Sequence, residues 1–149
     1  AGLGRRMEKM GFYEDAVVYN DYGHHPTEIK FTLNTFSRIK KGRLITFFQP
    51  HRYTRTKALM EDFARSFYST DLLYVADIYP ASEKPIKGVD SRVLTEKIRE
   101  FGKKEAHYIN GTDPVEVLKD IKPGKDDIIL FLGAGDYYRF AIKMLDDNK

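Results

Sequence analysis

Short apolar runs alternate with amphipathic helical stretches five times along this chain, and that alternation limits the fold more than any single motif does. Residues 16–20 (AVVYN), 43–48 (RLITFF), 72–76 (LLYVA), 106–109 (AHYI) and 127–132 (DIILFL) are strand-length runs rich in β-branched and aromatic side chains. Helical spacing follows each. Residues 27–40 place Ile29, Leu33, Phe36 and Ile39 on one face, and residues 57–68 do the same with Leu59, Met60, Phe63, Ala64 and Phe67. Residues 92–101, 114–120 and 137–145 complete the series, with Ser91 and Asp113 as expected N-caps and Pro26 fit to open the first helix. The expectation is an α/β domain: a mostly parallel sheet with helices on both faces. Right-handed crossovers then bring the turns at residues 21–26, 51–55, 77–90 and 133–136 to one rim.

At 149 residues, 42% of them hydrophobic with ten Phe and ten Tyr, the chain has the material for one packed domain. A net charge of +3 is too small to suggest a nucleic-acid partner. No apolar run approaches the roughly 18 residues of a membrane span, and residues 1–11 lack the apolar centre of a signal peptide. The absence of cysteine removes disulfides and a thiol nucleophile, and fits a cytoplasmic location. Residues 1–11 (AGLGRRMEKMG) read as a linker or the tail of an earlier domain, so the chain is expected to be cut from something longer.

The residues with the clearest chemistry lie in FQPHRYTRT, residues 48–56. Pro50 stops the strand, which leaves His51, Arg52, Tyr53, Thr54 and Arg55 on a strand-to-helix turn. The carboxyl edge of an open α/β sheet is where ligands bind, and two guanidiniums three residues apart suit a carboxylate or a phosphate. The bland alternative is a solvated basic turn. Asp21 ends its strand beside His24 and His25, where it fits either a sugar hydroxyl or a helix cap. His24 and His25, being adjacent, should point apart. A zinc site from His24, His51 and a carboxylate has no HxxxH or HxH spacing behind it. His107, within a strand, reads as structural or surface, and Asp126-Asp127 as a solvated turn. GAGD at residues 133–136 falls short of a dinucleotide fingerprint and is either a tight turn or a backbone N–H facing a ligand. Neither a Walker loop nor a nucleophile elbow is present.

Taken together, NDYGHHPTEI (residues 20–29), FQPHRYTRT, DSRVL (residues 90–94) and FLGAGD (residues 131–136) resemble the C-terminal domains of the Mur ligase family, and within it the L-alanine-adding branch. The likeness runs from GLGRRME to the last helix, with Asn20 in place of a more usual Asp and Met7 in place of Phe. It implies a Rossmann-like three-layer domain over residues 15–149. Residues 1–14 would be the interdomain linker or tail of a central ATPase domain. It further implies an ATP- and Mg2+-dependent reaction in which UDP-N-acetylmuramic acid is activated as an acyl phosphate and attacked by L-alanine. Arg52, Arg55 and His51 would hold the alanine carboxylate, Tyr22 and His24 would shape its pocket, and Asp21 and Arg6 would meet the nucleotide. The phosphate loop, the metal ligands and the UDP-sugar pocket would lie in other domains, so this chain alone is expected to be inactive. Alternatives are a ligase joining a whole tripeptide to the same sugar nucleotide, and a non-catalytic module for nucleotides or phosphates.

Overall fold

A computed structural model describes residues 6–111 and 113–147. Its elements are β1 (Glu8–Tyr13), β2 (Ala16–Asp21), α1 (Pro26–Ile39), β3 (Leu44–Phe48), α2 (Tyr53–Ala58), α3 (Met60–Ala64), β4 (Leu72–Val75), α4 (Ser91–Glu100), β5 (Ala106–Tyr108), α5 (Pro114–Ile121), β6 (Ile128–Leu132) and α6 (Tyr138–Asp147). The strands form one six-stranded sheet in the order β1-β2-β6-β3-β4-β5. Every pairing is parallel except β1 with β2. Both β3 and β6 are buried at every residue, which is why each reads as an unbroken apolar run rather than an alternating one.

Helices cover both faces, as the alternation predicts. On one side Ile29, Leu33 and Phe36 of α1, Phe63 of α3, and Leu94 and Ile98 of α4 pack on Phe48, Leu73, Leu130 and Leu132. On the other, Leu118 of α5 and Ala141 and Met144 of α6 pack on Val18, Ile45, Phe47, Ile129 and Phe131. Phe47 lies stacked between Tyr74 and Phe131, with ring centroids 5.3 and 5.2 Å away. The chain steps from β2 through β3 and β4 to β5 with its helices on the first face. It then returns through α5 on the second face to insert β6 between β2 and β3. The direction of travel reverses at β6, so the crevices flanking its carboxyl end are topological switch points.

Four local expectations change. Residues 8–13, read as part of the linker, form edge strand β1, while residues 1–5 of that segment lie outside the described residues. An edge strand needs only one neighbour and one covered face, so it carries no apolar run. Its Gly11 lets Leu145 of α6 close in, to 3.4 Å from where a Cβ would stand. The helix expected over 57–68 starts instead at Tyr53, breaks at Leu59 and ends at Ala64. The N-cap of α4 is Asp90, which accepts the Val93 N–H at 2.9 Å, and Ser91 is the first helical residue. Asp127 is buried, not solvated: it accepts from the Arg43 backbone N–H, from two Arg43 guanidinium nitrogens and from the Gly124 N–H. Burial opposes its ionisation, but these bonds prevail and hold the carboxyl below its usual range. No described helix is long and apolar enough to cross a membrane.

Candidate functional site

The turn after β2 is built around two carboxylates. Asp21 is fully buried. Its Oδ1 accepts the Gly23 N–H at 2.7 Å and its Oδ2 accepts the Met7 N–H at 2.9 Å, with Arg6 Nε 3.6 Å from Oδ1. Glu28, one turn into α1, accepts from the backbone N–H groups of His24 and His25 at 3.2 and 3.1 Å and from Arg6 Nη1 at 3.2 Å. Its partial burial pulls the carboxyl up, yet these donors outweigh burial and leave it below the ordinary glutamate range. The two histidines divide as expected. His25 is the N-cap of α1, its Nδ1 accepting the Thr27 N–H, in a capping box with Glu28. His24 turns the other way, with Nδ1 donating to the Tyr22 carbonyl at 3.2 Å and its ring edge-on to Tyr22.

After β3 the chain is locked to the loop that follows β4. The Tyr79 N–H donates to the Pro50 carbonyl and the Arg52 N–H to the Tyr79 carbonyl, both at 2.8 Å. The His51 and Tyr79 rings stack with centroids 5.5 Å apart and planes 15° from parallel. Arg55 Nη1 donates to His51 Nδ1 at 3.0 Å and to the His51 carbonyl at 3.1 Å. A guanidinium only donates, so Nδ1 is the acceptor and the imidazole is the neutral Nε2–H form. Burial first, then the positive charges of Arg55, His24 and Arg52, push His51 below the usual histidine value of 6.5. Its charged form is therefore disfavoured in the fold, and the stability it contributes above 6.5 is lost as the pH falls through the depressed value. In a two-dimensional NMR titration of this chain, His51 is expected to titrate below 6.5 and to move up in Arg55→Ala. A midpoint at or above 6.5 would remove the guanidinium–imidazole contact from the account.

β6 closes the rim. The Gly133 N–H donates to the Asp21 carbonyl, and the Gln49 N–H to the Leu132 carbonyl, both at 3.0 Å. A Cβ on Gly135 would lie 2.5 Å from Gln49 Oε1 and 2.8 Å from Tyr79 Cγ, so this glycine is what lets the GAGD turn slide beneath Tyr79. The turn's main role is thus close packing.

The rim unites the two corners expected from sequence. His24 and His51 have ring centroids 6.0 Å apart, which joins the Tyr22–His24 turn to the Arg52–Arg55 turn at the edge flanking β6. Arg52 leans outward with its side chain 44% exposed, and Arg6 is paired with Asp21 at the β2 end. His107 stacks on Tyr74 in the sheet, outside this group. Among the described residues no cluster of His, Cys, Asp or Glu is placed to hold a metal ion. Three participants have no counterpart in the sequence reading: Glu28, Tyr79, and Glu83 of the loop after β4, whose carboxylate accepts from the Thr54 N–H and hydroxyl. Glu28 was legible in principle, since a glutamate three residues after His25 completes a capping box. The other two meet their partners across long separations that no local pattern encodes.

This architecture has relatives. The family model described as Mur ligase, glutamate ligase domain, matches residues 5–135. A UDP-N-acetylmuramate–L-alanine ligase of Desulfosudis oleivorans is 48% identical over 151 residues, covering 100% of this chain and 33% of that protein. One of the same name from Geotalea uraniireducens is 43% identical over 150 residues, covering 99% and 32%. The chain therefore spans about a third of the length of the curated relatives it matches. Among solved structures, a UDP-N-acetylmuramate-alanine ligase of Thermotoga maritima superposes with a TM-score of 0.70 at 24% identity, over 96% of this chain and 29% of that one. A murein peptide ligase of Psychrobacter arcticus gives 0.69 at 21%, over 95% and 29%. A bifunctional folylpolyglutamate synthase/dihydrofolate synthase of Yersinia pestis, complexed with AMPPNP and Mn ion, gives 0.62 at 14%, over 99% and 32%. At these identities the structures speak for the fold, whereas the family match spans most of the sequence. The chain belongs to the Mur ligase family and is one of its C-terminal domains.

Proposed function

We propose that this domain receives the amino acid in an ATP-dependent ligase that joins L-alanine to UDP-N-acetylmuramic acid through an acyl phosphate, a step of peptidoglycan precursor synthesis in the cytoplasm. The observation that carries the reading is the convergence of Arg52, Arg55, His51 and His24 on one edge of the sheet. Arg52 and Arg55 hold the alanine carboxylate, as charged donors in a fork suited to it. His51, neutral and braced by Arg55 and Tyr79, borders that carboxylate without adding a competing charge. Tyr22 and His24 wall the methyl side. Arg6 and Asp21 form the nucleotide side, toward phosphate and ribose. Asp21 is fully buried beneath the Met7 N–H, so a ribose hydroxyl reaches its spare lone pairs only if the Arg6–Met7 segment shifts. Bound ATP supplies the phosphoryl group that activates the sugar carboxylate. The phosphate loop and the metal ligands are assigned to the central ATPase domain of the full-length protein, and the UDP-sugar to its N-terminal domain. What this domain adds is orientation: it presents the amine to the acyl phosphate and walls off water.

The test is phosphate release by the full-length protein given ATP and UDP-N-acetylmuramic acid with different acceptors. L-Alanine is expected to support turnover well above a whole tripeptide, and the isolated chain none. Preference for the tripeptide would move the assignment to muropeptide recycling. Tight ATP binding by this chain alone in calorimetry would favour a nucleotide-binding module.

A further inference from the structure

The loop joining β4 to α4 is fastened to the Arg52 turn at its tip as well as at Tyr79. Glu83 Oε1 accepts the Thr54 N–H at 3.1 Å, its Oε2 accepts the Thr54 hydroxyl at 2.5 Å, and the same Oε2 stands 4.0 Å from Arg52 Nη1. Unusual backbone geometry brackets this contact on both sides. Ala81 and Ser82, immediately before Glu83, have φ of 49° and 73°, and Arg52 has φ of 76°. Three non-glycine residues in sparsely populated conformations around one carboxylate are the pattern of a geometry held in place by its surroundings.

We propose that Glu83 is a positioning residue for amino-acid recognition: its carboxylate braces the Arg52 guanidinium from the loop side, leaving the opposite edge turned toward the incoming substrate carboxylate. The inference rests on the ligase reading above and deepens it. Glu83 is not itself an occupant of the carboxylate site. Both of its oxygens are engaged by Thr54, and these bonds, the hydroxyl's first, hold it below the ordinary glutamate range and hence ionised at neutral pH. Arg52 meets it at one nitrogen only, and a guanidinium has five N–H donors in a planar fork, so a full edge is left for a second carboxylate. A half-exposed arginine left free would lose side-chain entropy on binding substrate, and a braced one loses less.

The experiment uses the full-length ligase with Glu83→Gln. The amide keeps an acceptor for the Thr54 N–H and nearly the same volume, but it has no charge for Arg52. The expected result is a rise in the KM for L-alanine of roughly three- to five-fold, the scale of an exposed ion pair, with kcat, the KM for ATP and the thermal midpoint unchanged. In an Arg52→Ala background the same substitution is expected to add nothing further, a non-additivity that a loop merely loosened would not produce. An unchanged or lowered KM for alanine in Glu83→Gln overturns the proposal, and so does an equal rise in the Arg52→Ala background. Arg52→Ala alone separates the two levels. If it leaves the alanine KM intact, the ligase role of the turn falls and the brace with it. If it raises that KM while Glu83→Gln does not, only the brace falls.

Discussion

Arg52→Ala in the full-length ligase is expected to raise the KM for L-alanine by roughly ten- to a hundred-fold, the scale of losing one charge-assisted hydrogen-bond partner. The KM for ATP should hold, because Arg52 lies at the end of β3 and nucleotide contacts are assigned to the β2 end of the rim. Arg52 is the cleaner probe of the two arginines. Its guanidinium makes one long contact with Glu83, so truncation disturbs little else. Arg55 braces the His51 imidazole and carbonyl as well, and its removal would loosen the site while also emptying it of charge. Arg52→Lys is expected to recover part of the loss, since it restores the charge without the planar fork. An unchanged alanine KM in Arg52→Ala would take the carboxylate role away from this turn.

The second large effect is on stability. Asp21→Asn is expected to destabilise this chain by about 2–4 kcal/mol, which lowers the thermal midpoint by roughly 5–15 °C. The substitution is nearly isosteric, so the cost comes from hydrogen bonding. Asp21 is fully buried and faces two backbone N–H donors, one on each oxygen. An asparagine offers one acceptor, and its amide nitrogen then confronts the other donor. Asp21→Ala should therefore cost about as much, and Asp126→Asn, at an exposed turn position, close to nothing. A thermal midpoint for Asp21→Asn within about 2 °C of the parent would mean that Asp21 does not tie the Arg6–Met7 segment to the sheet.

The same contrast between near and far partners decides what could be read from the sequence. β6 was plain because burial on both faces leaves an unbroken apolar run, and the rim followed from topology once the strands alternated with helices. β1 gives no such signal, because an edge strand with glycine and lysine needs no apolar run. The start of α2 is silent in the sequence because YTRT has no apolar period, and its N-cap, Arg52, makes no capping bond with its side chain. Asp127 looked solvated because its partner Arg43 is 84 residues away, and Glu83 carried no signal because Thr54 is 29 residues away. The histidine and arginine residues stood out in the sequence, whereas the groups that aim them did not.

The position of β6 also governs how the domain is made. β2 and β3 do not pair with each other, and each hydrogen-bonds to β6, which comes from residues 128–132. During synthesis the sheet therefore remains two separate ribbons, β1-β2 and β3-β4-β5, until almost the whole domain has left the ribosome. For that interval each ribbon shows a bare, strongly apolar margin to its surroundings, the condition under which nascent chains attract chaperones or one another. Assembly is correspondingly cooperative, and a premature stop before Ile128 would leave the two ribbons without the strand that hydrogen-bonds to both.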